Sequence, residues 1–140
     1  MTQLSPLQAM RDLLEEDLRF PIEAYQFIRE ALQFAQENHD HLKGADPESD
    51  EETRHVTGQQ LCEACRLYAV DQYGLLAKTV LSTWGVNSTG DFGEIVYNLI
   101  RIGQMRKSEN DHREDFEDVF DFAGAFEPEF EYNASADDSL

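Results

Sequence analysis

The sequence predicts a mainly α-helical protein: a helical hairpin followed by a three-helix unit, winged-helix-like if a short C-terminal β-hairpin closes it. Three observations lead there. Helix starts recur with their capping residues, and the apolar residues between them repeat at helical spacing. The stretch from Trp84 to Gly103 carries one complete helix with both ends marked.

Taken in order, Ser5-Pro6-Leu7-Gln8 opens the first helix with a Ser N-cap, Pro at N1 and Gln at N3. Leu7, Met10, Leu13 and Leu14 give it an apolar stripe up to about Glu16. Phe20-Pro21 breaks the chain and restarts it. From Pro21 to His39, the residues Ala24, Tyr25, Phe27, Ile28, Ala31, Leu32, Phe34 and Ala35 form the wide apolar face of a core-facing helix. These two helices are expected to pair as an antiparallel hairpin over 5–42. Gly44, Pro47 and the acidic run from Glu48 to Glu52 mark an exposed linker over 43–54. Thr57 then caps a third helix with Gln60 at N3; Leu61, Cys62, Cys65, Tyr68 and Ala69 line one side before Gly74 stops it. Leu75 to Trp84 reads as a short fourth helix, ended by Gly85.

The fifth helix begins with Ser88 or Thr89 as N-cap, and Asp91 complements the dipole in its first turn. Phe92, Ile95, Val96, Leu99 and Ile100 keep helical spacing, and Gly103 supplies the stop. After it the pattern divides. Phe116, Phe120 and Phe122 alternate as in a strand that Gln104 to Lys107 could partner, which would make the wing. Phe116, Val119, Phe120 and Ala123 also fit i, i+3, i+4, i+7, so a helix over 104–122 stays open. The domain is expected to span 1–124, its second part, 55–124, being the three helices and the wing, with an acidic flexible tail over 125–140.

A chain of 140 residues is one domain, long enough to bury roughly 70% of its unfolded surface. Twenty-nine acidic residues against 11 basic ones give a net charge of −18. From Glu109 onward twelve carboxylates face one arginine, Arg113, and no lysine, so this last quarter of the chain carries −11. That balance repels phosphate backbones and anionic membranes and favours basic or polar protein partners. No apolar run approaches membrane-spanning length, and the N-terminal residues lack a basic segment followed by an apolar one. A reducing, cytoplasmic location is expected.

The blocks Phe20-Pro-Ile-Glu-Ala-Tyr25, Arg54-His-Val-Thr-Gly-Gln59, Trp84-Gly-Val86 with Asp91-Phe-Gly-Glu-Ile-Val-Tyr-Asn-Leu99, and Asp115-Phe116 with Asp118-Val-Phe-Asp-Phe122 resemble a small uncharacterised bacterial family of the planctomycete and verrucomicrobial group. The resemblance spans most of the chain. It implies no activity, substrate or cofactor, and it implies aliphatic residues where Cys62 and Cys65 stand.

Candidate chemistry is sparse. Cys62-x-x-Cys65 with His39-x-His41 could supply four zinc ligands, but the cysteines lie on the apolar face of a predicted helix, where free Cys packs as core. His55 could act as a general base or simply fix a helix entrance. The turn Ser88-Thr89-Gly90-Asp91-Phe92-Gly93 could cradle an anion, yet no Lys completes a phosphate loop and Asp91 opposes one. The acidic run after Glu109 lacks the ligand spacing of an EF-hand. A winged helix would present Asp91, Glu94, Asn98 and Arg101 to DNA, one positive charge against two negative ones.

The reading is a non-catalytic protein-interaction or adaptor module with an acidic face, without cofactor or metal. Its expected contact residues are Phe130 and Tyr132, flanked by Glu127, Glu129 and Glu131. Two alternatives stand beside it. One is a small-molecule binder or enzyme using His55 or the Ser88 to Asp91 turn; the other is a winged-helix-like transcription regulator.

Overall fold

The computed structural model describes residues 5–38, 56–109 and 111–126. They form six α-helices: α1 (Pro6–Glu16), α2 (Ile22–Glu37), α3 (Gly58–Tyr73), α4 (Ala77–Thr83), α5 (Thr89–Arg101) and α6 (Phe122–Ala125). Short 3-10 turns occupy Gly74–Leu76 and Arg113–Phe116. The protein is therefore mainly α, with helix starts at the capping residues named above.

The caps account for the boundaries. Ser5 Oγ accepts from the Gln8 N–H at 3.1 Å. Thr57 and Gln60 close a reciprocal capping box at 3.1 and 3.0 Å. At α5 the cap is Ser88, whose Oγ accepts from the Asp91 N–H at 3.3 Å, while the Asp91 carboxylate accepts from the Asn87 N–H at 2.8 Å. Gly103, at φ +79, ends α5; its N–H reaches the Ile100 carbonyl and that of Gln104 reaches Leu99, the paired bonds of a Schellman stop.

Packing departs from the expected hairpin. Helix α2 runs antiparallel to α3, with Phe27 near Tyr73 and Phe34 near Tyr68, and next approaches α5; α1 approaches α2 much less closely. Small side chains explain the choice of partner. Ala24, Ala31 and Ala35 on α2 and Ala64, Cys65 and Ala69 on α3 are all buried, so these two backbones can come close. On α1 only Met10 and Leu13 are buried, and Leu7 is exposed. Helix α5 supplies the centre, with Phe92, Ile95 and Leu99 fully buried.

No strand occurs among the described residues, so the hairpin expected over 104–122 is not formed there. Carboxylates take the backbone donors a ladder would need: Asp111 accepts from Ser108 N–H at 2.9 Å, Asp115 from His112 N–H at 2.9 Å and Asp121 from Ala123 N–H at 3.2 Å. The resulting chain of turns, 111–126, lies as a strap against α3 and α5. Ala125 and Phe126, placed by sequence in the tail, belong to it; Phe126 is buried, its ring 4.9 Å from that of Phe122. The acidic linker over 43–54 and the rest of the tail lie outside the described residues.

Candidate functional site

Helix α5 has two polar surfaces, and the structure uses them differently. Along its flank, Glu94, Asn98 and Arg101 stand at i, i+4 and i+7, one face of a helix. Each meets the last residue of α1 or the connection that follows it. Glu94 accepts from Arg19 at 3.1 Å, Asn98 donates to Asp17 at 3.0 Å, and Arg101 donates to Glu16 at 3.2 Å. Asn98 also donates to the buried Tyr25 hydroxyl at 3.1 Å. Arg19 grips Asp17 through Nε and Nη2, and this pairing holds the Asp17 carboxyl well below the usual carboxylate range. A winged helix would offer this face to DNA; here it ties two parts of one chain together. Asp91, the fourth residue of that candidate surface, caps its own helix.

At the head of α5 the second polar surface opens into a cleft of ≈ 490 Å³, lined by Asn87, Ser88, Thr89 and Gly90 on one side and Glu117, Asp118, Phe120, Asp121 and Phe122 of the strap on the other. Three carboxylates line it, and no base among the described residues. Asp118 sits at φ +49, a left-handed conformation that Asp tolerates better than most residues. Thr89 is buried, and its Oγ1 accepts from the Val119 N–H at 3.2 Å, fixing the strap to the mouth. The cleft suits a positive charge. An anion would face three carboxylates beside a helix end whose Asn87 and Asp91 donors already have partners.

The strap is seated by Phe116. A Cβ at Gly93 would lie 2.7 Å from Phe116 Cβ, and one at Gly58 would lie 3.1 Å from its Cε2. Two glycines on two helices thus make the notch that admits one ring. Arg113 crosses the same seam, pairing with Glu94 at 3.0 Å and covering the Tyr97 ring at 5.3 Å. The Tyr97 hydroxyl is buried with no hydrogen-bond partner among the described residues. Sequence reasoning found the Ser88 to Asp91 turn and the strap's charge; it missed the cleft between them, because nothing local in the sequence pairs 88–90 with 117–122.

Other candidates fall elsewhere. Cys62 and Cys65 are free and buried in α3. Burial pushes the Cys62 thiol up to about 12 and raises the Cys65 thiol well above its ordinary value, which favours the protonated form over the thiolate that binds metals or attacks. No group of three or more metal-ligating side chains occurs among the described residues. His39, His41, His55, Glu127, Glu129, Phe130, Glu131 and Tyr132 lie outside the described residues. A second groove of ≈ 710 Å³ runs between the α1–α2 connection and the end of α4, past Leu18, Ile22 and Trp84; Arg19, the one cation among its described residues, is committed to Asp17 and Glu94. None of the described helices is long and apolar enough to cross a membrane.

Fold and site together define a small helical protein with an acidic cleft built by one helix end and a C-terminal strap. Comparison with protein-family models, curated proteins and solved structures finds no match.

Proposed function

We propose that this chain is a non-catalytic protein-interaction module that offers an acidic cleft to a basic segment of a partner protein. The observation that carries the reading is the cleft's lining: Glu117, Asp118 and Asp121 converge beside the aromatic ring of Phe120, with no cation among them. Carboxylates and an aromatic face are what a Lys or Arg side chain requires. The tail residues Glu127, Glu129, Phe130, Glu131 and Tyr132 belong to the proposal on their charge and aromatic character alone. Free buried thiols suit a reducing cytoplasm. Membership of the planctomycete and verrucomicrobial family is compatible with this reading, since that resemblance brings no activity.

One observation favours a second reading. The cleft's volume lies in the range of small-molecule sites, and its charge would select a small cationic ligand. The winged-helix regulator is the weaker alternative: α5's flank is occupied by Arg19, Asp17 and Glu16, and the net charge opposes a phosphate backbone.

Fluorescence anisotropy with a labelled oligoarginine peptide tests the proposal. The full chain should bind it saturably, and an oligoglutamate peptide should not bind. Asp118→Asn with Asp121→Asn should weaken binding roughly tenfold, whereas Glu15→Gln with Glu37→Gln, the same charge change on exposed positions elsewhere, should change it little. Asn keeps both the left-handed turn at 118 and the cap at 121. Equal losses from the two pairs would reduce the effect to diffuse net charge and end the proposal. Equally tight binding of free arginine amide would favour the small-ligand reading.

A further inference from the structure

We propose that the strap over 111–126 is a latch: Phe116 pins it in the Gly58–Gly93 notch, its own carboxylates oppose closure, and it opens as one unit while the helices stay folded. Three features of the packing converge on this. The strap is held chiefly by rings, with Phe116 against Tyr97 and Phe122 against Phe92, and its backbone reaches the helical body where Val119 donates to Thr89. Such an element has little ladder of its own to melt, because its regular structure is a four-residue 3-10 turn and a four-residue helix.

Charge works against closure. Asp111, Glu114, Asp115, Glu117, Asp118 and Asp121 share the strap with a single arginine, Arg113, which pairs with Glu94 and covers the Tyr97 ring on α5. Bringing these carboxylates to a body that is itself acidic raises their mutual repulsion, and salt screens it. Closure also seals the Tyr97 hydroxyl away from water without a partner among the described residues, a cost that opening relieves. The aromatic pin and the electrostatic load are therefore opposed within one segment, and cations in solution shift the balance toward closed.

The latch stands on packing and charge whether or not a basic partner exists. Only its use as a gate rests on the reading above: the strap supplies Glu117, Asp118 and Asp121, so the cleft exists while the latch is shut.

Hydrogen exchange of the full chain, read by peptide mass spectrometry at low and high sodium chloride, tests it. Amides over 116–122 should exchange faster than those of α3 and α5, and high salt should slow them roughly three- to tenfold with little change in the two helices. Tyr97→Phe removes the sealed hydroxyl and should slow the same amides at either salt. Phe116→Ala should speed them while helical circular dichroism is retained. Exchange of 116–122 in step with α3 and α5, or no response of the strap to salt, would overturn the latch. Failure of the oligoarginine titration with these results intact would remove the gate and leave the latch standing.

Discussion

In the body formed by α2, α3 and α5, small side chains bring helix backbones together around Phe92, Ile95 and Leu99. In the strap, large rings are pressed into the helical surface by a segment otherwise made of carboxylates and turns. The body is held by periodic burial along each helix, so its stability is distributed. The strap is held by a few discrete contacts, Phe116 in its notch foremost, so its stability is concentrated. This difference places the candidate site: one wall of the cleft belongs to the firm region and the other to the releasable one.

The firm region should respond most strongly to a single cut. Leu99 is fully buried in α5, and Leu99→Ala should cost roughly 2–5 kcal/mol through lost burial and a cavity. Thermal or denaturant unfolding checks this, and the loss should appear in the global transition. An unchanged midpoint would mean that α5 is not the centre of the body, and the comparison would dissolve.

A smaller effect sharpens the comparison through pH. Arg19 holds the Asp17 carboxyl below its ordinary value of 3.8, so the unfolded chain takes up that proton at a higher pH than the folded one. The stability from this contact is therefore full well above pH 4 and is lost as pH falls below it, toward the depressed folded value. Arg19 is about half exposed, so solvent screening limits the contribution to about 1 kcal/mol. Asp17→Asn should be less stable than the parent at pH 7, with the gap narrowing as pH falls toward 3. A gap that widens toward acid would show that Asp17 does not anchor the α1–α2 connection to α5.

How far each region was legible in the sequence follows from the same contrast. Ser5, Thr57 and Ser88 announced their helices because capping is a local act, read within three or four residues. Leu99 and its neighbours were legible as core because burial imprints a helical period. The partner of α2 was not, since nothing in the order of elements says that its alanines will meet those of α3 before α1 can. The alternating phenylalanines at 116, 120 and 122 suggested a strand because alternation is a local signal, whereas the rings are placed by Gly58, Gly93 and Phe92, far away in sequence. The polar flank of α5 was legible as a face but not as an occupied one: its partners Glu16, Asp17 and Arg19 lie more than seventy residues earlier. Of the candidate site, the turn at 88–91 and the acidity of the strap were visible separately, and their meeting was not.

The central claim is that Phe116 in its glycine notch is the main contact joining the strap to the body. A double-mutant cycle between Gly93→Ala and Phe116→Ala, followed by denaturant unfolding, measures it. In the parent chain Gly93→Ala should destabilise by roughly 1–3 kcal/mol, because the new methyl meets Phe116 at 2.7 Å. With Phe116→Ala the ring no longer holds the strap in place, and the same methyl meets only a segment free to move aside. Alanine is then the better helix residue by about 1 kcal/mol, so Gly93→Ala should become neutral or stabilising. That reversal of sign is the predicted result; an equal loss in both backgrounds would contradict it and show that the strap stays seated without the ring, since Phe116→Ala keeps the Cβ that the new methyl meets.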